Sequence, residues 1–145
     1  MAQPTQSYKN HARFLPAFHF FVLPVLFIHV LNTLRHLYLA PSRGTAFAVI
    51  VASALLTLGF LSRTMALTVQ DRLIRLEMRL RLREVLSAPL AARINELTHK
   101  QLIALRFASD AELADLVKDV LDGKLATSKE IKMRVRSWQG DWLRV

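Results

Sequence analysis

The chain has 145 residues, 52% of them apolar, with no cysteine and with 20 Lys and Arg against 11 Asp and Glu. The missing cysteine removes disulfides, thiolate metal sites and cysteine nucleophiles together. A formal charge of +9 suits nucleic acid or an anionic lipid surface. No zinc-finger, aromatic-sheet or glycine-loop signature accompanies it, so headgroup attraction explains the basicity with fewer assumptions.

The layout of the charge is more informative than its sum. Residues 1–70 contain no Asp or Glu, and all 11 acids lie between Asp71 and Asp141. That order reads as membrane segment, then aqueous domain. The expected fold is all-α: a transmembrane helical hairpin, a second helix extended into a cytoplasmic stem, and a small helical domain. The boundaries are an N-terminal tail (1–16), a two-span hairpin (17–67), a basic stem (68–88) and a C-terminal domain (89–145).

The tail carries Lys9, His11 and Arg13 between Pro4 and Pro16 and reads as irregular or interfacial. The first span covers 17–39. Its uncharged part, Ala17 to Leu34, has 18 residues, just enough for a hydrocarbon layer of about 30 Å. A cleaved signal peptide competes with this reading, but the leader is long, no A-x-A site follows, and a second apolar segment comes directly after. Pro24 offers no N–H to the Phe20 carbonyl, so a kink or loosened turn is expected there.

Ala40 to Thr45 is a turn by its chemistry, with Thr45 placed to cap the next helix. So short a link makes the two spans an antiparallel hairpin and puts both termini on one side. Lys9 and Arg13 precede the spans and 15 Lys and Arg follow Arg63, whereas the turn holds only Arg43. The positive-inside bias makes that side the cytoplasm.

From Ala46 to Ser87 no proline interrupts, and Gly59 is the only glycine. One continuous helix of roughly 60 Å is expected, apolar over the span 46–67 and arginine-rich beyond it. Ala48, Ala52 and Gly59 fall on one face where helices approach closely. That face serves either the hairpin itself or an oligomer. Val69, Leu73, Leu76 and Leu80 then repeat at a 4-3-4 spacing, a short coiled-coil seam with Ala66 before it. With Leu73 and Leu80 as a positions, Arg72 and Arg79 are g residues, and Glu77 and Glu84 are e residues. A parallel pair would join Arg72 to Glu77 and Arg79 to Glu84 across copies. Ile74, Met78 and Val85 make a second stripe on the opposite side. Either one stripe meets a partner and the other the C-terminal helices, or both are core of one domain. Arg63, Arg72, Arg75, Arg79, Arg81 and Arg83 are the candidates for anionic headgroups.

Pro89 ends the stem. One or two helical turns follow over 90–97, and a Thr98/Gln101 capping box opens a helix through Phe107. Ser109 or Asp110 caps the next helix, whose face is Leu113, Leu116, Val117, Val120 and Leu121. Gly123 fits its left-handed C-terminal position. A Thr127/Glu130 box opens a last helix to about Trp138, and Gly140 releases a tail. Acids gather on the helix after Asp110 and bases on the helix after Thr127. Either these two helices pair, or the acidic one meets stem arginines while the basic one faces lipid.

Sites for chemistry are sparse. His29, Asn32 and His36 share a face of the first span, at a depth where polar groups usually face protein or water. They read as a polar seam between helices, as contact with a larger membrane protein, or, through His29 from two subunits, as axial haem ligands. His99 is the only histidine after the spans and has no nucleophile near it. No P-loop, G-x-G-x-x-G or H-E-x-x-H is present, and no cofactor is expected.

The segments YKNHARFLPAFHFFVLP, VQDRLIRLEMRLRL, ELTHKQLIALRFASDAEL and WQGDWLRV resemble an uncharacterised family of small two-span bacterial membrane proteins. The resemblance covers nearly the whole chain. It implies a bacterial inner-membrane protein with an intact N-terminus, and it carries no activity, cofactor or site residue. The reading is a non-enzymatic membrane scaffold or accessory protein that self-associates as a parallel homo-oligomer or docks onto a larger complex. A haem-binding or electron-transfer subunit built on His29 is the alternative.

Overall fold

The computed structural model describes residues 6–8 and 14–141. The readings of Lys9, His11 and Arg13 in the tail, and of residues 142–145 as a released end, lie outside the described residues. A π-helical stretch Ala17–Val22 runs into α1 (Leu23–Leu39), followed by the long α2 (Arg43–Val85). Then come α3 (Ala88–Ala91), a 3₁₀ turn (Ile94–Glu96), α4 (His99–Leu105), α5 (Asp110–Leu121) and α6 (Ser128–Arg134). The chain divides into two compact units, residues 14–68 and residues 69–141 together with Gln6, Ser7 and Tyr8. Helix α2 contributes to both.

Two helices, Ala17–Leu39 within the unit 14–68 and Arg43–Val85 beginning in it, are long and apolar enough to cross a membrane. The loosened turn expected at Pro24 takes the form of the π-helix just before it. There Leu23 N–H bonds to the Phe18 carbonyl, five residues back. Pro24, which has no N–H to donate, is the second residue of the α-helix that follows.

The link between the helices is tighter than its composition implies. Helix α2 begins at Arg43, so Ser42, not Thr45, is its cap. Ser42 Oγ accepts the Thr45 N–H at 3.1 Å, and Thr45 Oγ1 accepts the Ser42 N–H at 2.9 Å. The reciprocal pair satisfies two donors that helix geometry leaves over.

Ala52 and Thr33 are the buried residues of this unit, and the Thr33 hydroxyl donates to its own Val30 carbonyl at 2.9 Å. Gly59 lies against α1: a Cβ there would stand 3.4 Å from Leu26 Cδ1. The outward surface is apolar, with Phe20, Phe21, Phe27, Ile28, Phe47 and Ile50 all exposed.

The second unit has a continuous core. Ile74, Met78, Leu82 and Leu86 from α2 and its exit pack with Leu102 and Leu105 of α4. Leu113, Leu116, Val117 and Val120 of α5 and Ile131 of α6 complete it. The local signals at the helix ends hold. Thr98 N–H donates to Gln101 Oε1 at 2.8 Å, and Glu130 N–H to Thr127 Oγ1 at 3.2 Å. Gly123 has φ of 78°, and Lys124 N–H closes onto the Asp119 carbonyl at 2.9 Å, a Schellman ending.

Two helices stop earlier than expected. Helix α4 ends at Leu105, short of Phe107, and α6 ends at Arg134, short of Trp138. Tertiary contacts win at both places. Residues 135–139 extend beside Phe107 and Ala108, with an antiparallel bridge between Ala108 and Trp138. Gln139 N–H donates to the Phe107 carbonyl at 2.7 Å, and the Trp138 ring stacks on Phe107 at 4.5 Å. The Glu112 carboxylate takes the Arg136 and Ser137 N–H groups at 2.9 and 3.0 Å, which a continued helix would have used itself.

Candidate functional site

The two stripes of the stem part company. Of the second stripe, Ile74 and Met78 are at most 6% exposed and Val85 is half-buried, with Leu82 and Leu86 joining them in the core, whereas Val69, Leu73, Leu76 and Leu80 are all more than 50% exposed. One face of α2 therefore carries the domain and the other is an uncovered apolar row. A protein surface has little reason to present four large aliphatic residues in line unless something packs there.

The stem's charges divide along the same line. Arg81 leans to the covered side. Its guanidinium bonds to Asp110 Oδ1 at 2.7 Å, to the Ala108 carbonyl at 2.7 Å and to the Arg106 carbonyl at 3.3 Å. A planar cation at the end of α4 and the start of α5 meets both the orphan carbonyls and the acid, which joins stem to domain. Arg81 is thus held by its own chain.

Arg72, Glu77 and Glu84 flank the exposed row and are exposed, and Arg79 is half-buried. None of the four makes an ion pair among the described residues. Arg75 donates from Nε to its own Asp71 carbonyl at 3.0 Å, and Arg83 is exposed.

A cleft of about 290 Å³ adjoins the row, walled by Leu73, Ile74 and Met78 on the stem side and by Arg106 and Asp141 on the other. Arg106 pairs with Asp141 at 3.0 Å and lies 4.2 Å over the Phe107 ring. Gln70, also on the cleft, keeps a buried Oε1 without a hydrogen-bond partner among the described residues.

A family match spans residues 1–145. The chain belongs to DUF6526, a family of unknown function. No curated protein and no solved structure matches it. What this DUF6526 chain does must therefore come from its own surfaces.

In the hairpin, Ala52 is buried and Gly59 faces Leu26 and Leu23, so the small-residue face, with half-buried Ala48, is occupied within one chain. His29, Asn32 and His36 are exposed and lie off that packed face. Among the described residues no three His, Asp or Glu converge as a metal site would require. The acids of α5 find mixed partners: Asp110 goes to the stem and Glu112 to the backbone after α6. Asp119 pairs with Lys124 at 2.9 Å, and that hydrogen bond holds the carboxyl below its ordinary range.

The sequence offered a meeting of the acidic helix with stem arginines as one of two alternatives without singling out Arg81 and Asp110, whose 2.7 Å pair is such a meeting, and it gave no sign of the Arg106–Asp141 pair or the Phe107–Trp138 stack. The one available signal for Arg81 was its register. It sits one place past Leu80 toward the Ile74, Met78 and Leu82 side.

Proposed function

We propose that this DUF6526 protein is a non-enzymatic scaffold or accessory protein of the bacterial inner membrane, which docks through the exposed stem row. The observation that carries the reading is that row itself, Val69, Leu73, Leu76 and Leu80, uncovered while its opposite stripe is core. The hairpin lies in the bilayer, its phenylalanine-rich outer face toward lipid. The charged part of α2 and the domain lie outside.

Both termini are cytoplasmic in this reading. A hydrogen bond from Asp141 N–H to Gln6 Oε1 at 2.9 Å, which cannot form across a bilayer, supports one side for both ends, and the Lys and Arg skew supports the cytoplasm as that side. Arg63, Arg75 and Arg83 supply attraction to anionic headgroups, each worth about 1 kcal/mol where it approaches the surface. Reporter fusions at residue 5, residue 43 and the C-terminus should read cytoplasm, periplasm and cytoplasm.

A photo-crosslinking residue at Leu76 tests the docking surface in intact cells. Membrane-bound protein that resists alkaline extraction and forms protein adducts from Leu76, but not from exposed Lys129, supports the reading. Protein in the soluble fraction, or the same adducts from both positions, overturns it.

A further inference from the structure

Resting on that docking reading, we infer that the partner on the stem row is a second copy of this chain, parallel and in register. Self-complementary charge argues for it. In a parallel coiled pair each g residue meets the e residue five places on in the other helix. Here that pairing sets Arg72 against Glu77 and Arg79 against Glu84, four opposite-charge contacts across a two-fold axis. An antiparallel pair would bring g to g and e to e, placing arginine on arginine and glutamate on glutamate. The flanking charges thus select one orientation and one register.

The same side chains are unspent within the chain. Arg81, on the covered side, is bonded to Asp110 and two carbonyls, while Arg72, Arg79, Glu77 and Glu84 have no intrachain ion pair among the described residues. An unrelated partner would have to supply the matching charges at the matching spacing. A second copy has them by construction.

The seam is under three heptads, short for helices meeting freely in water. Two copies anchored in one membrane share an orientation before they meet, which removes much of the freedom that association otherwise costs. Symmetry then makes one row serve as both halves of the interface.

The absence of native cysteine gives a direct test in membranes carrying the full chain. Single substitutions Leu73→Cys, Leu76→Cys and Leu80→Cys should each form disulfide-linked pairs under mild oxidation, because facing seam positions come within disulfide reach. Asp71→Cys, exposed on the far side of the heptad, should not. Failure at all three seam positions, or equal linking at Asp71, overturns the inference.

A charge exchange tests register separately. In the Leu73→Cys background, Arg72→Glu with Arg79→Glu should cut linking several-fold, as should Glu77→Arg with Glu84→Arg. Co-expressed under different tags, the two variants should link to each other and not to themselves. Mixing that gives no preference for the mixed pair overturns the register. If seam cysteines never link to one another but Leu76 still captures a different protein, the second copy is wrong and docking stands. If neither occurs, both readings fall.

Discussion

Leu80 and Leu82 stand two residues apart on one helix, yet Leu80 is 51% exposed and Leu82 has no exposed surface. A two-residue step turns a helix by roughly 200°, so identical side chains occupy opposite environments. Leu82→Ala opens a cavity in the core and should cost about 2–5 kcal/mol of stability. Leu80→Ala should change the unfolding of single chains in dilute detergent by no more than about 0.5 kcal/mol. Thermal or denaturant unfolding followed by tryptophan emission compares the two.

Arg81 lies between them and ties stem to domain. Removing its fork leaves two carbonyls and Asp110 without their donor, so Arg81→Ala should destabilise by about 2 kcal/mol. Arg81→Lys should recover only part of that, since a point charge cannot reach all three acceptors. Asp110→Asn should cost less than about 1 kcal/mol, because the Asp110 carboxylate is mostly exposed. The same unfolding assay ranks the three.

Gly59 tests the hairpin. Its missing Cβ would sit at ordinary contact distance from Leu26, so Gly59→Ala fits with little change. Gly59→Leu forces the two helices apart and should cost about 1–3 kcal/mol. Loss of the hairpin's resistance to proteolysis in detergent reports it.

The cap of α6 predicts an acid dependence. Glu130 receives the N–H groups of Thr127 and Ala126, and these bonds hold its carboxyl below the ordinary glutamate value of about 4.3. A group depressed in the folded state adds stability above its unfolded pKa and loses it as pH falls through the folded one. The melting temperature should therefore drop on acidification below about pH 4, and drop less steeply in Glu130→Gln. Glu96, lowered by its hydrogen bond from Arg93, and Asp119 act in the same direction, so some slope remains.

What was legible in the sequence was local. Thr98 with Gln101, Thr127 with Glu130, and Gly123 each specify a helix end within four or five residues, and the apolar face of α5 follows from its period. The all-helical order and the long α2 came from the same kind of signal. The site was legible in outline, since the two stem stripes could be drawn but not told apart. Which stripe is core depends on where α4 and α5 land, and that is decided by contacts such as Arg81 to Asp110. The ends of α4 and α6 were misread for the same reason: Phe107, Trp138 and Glu112 act across more than 20 residues of chain.

The mass of the full-length protein in detergent or nanodiscs tests the central claim most directly. Leu73 and Leu76 lie at the middle of the exposed row, and burying each contributes about 1.5–3 kcal/mol per side chain before entropic losses. Wild type should contain two chains, and Leu73→Asp with Leu76→Asp should contain one, with unchanged helix content. A wild type of one chain, or a double aspartate that stays paired, would contradict it.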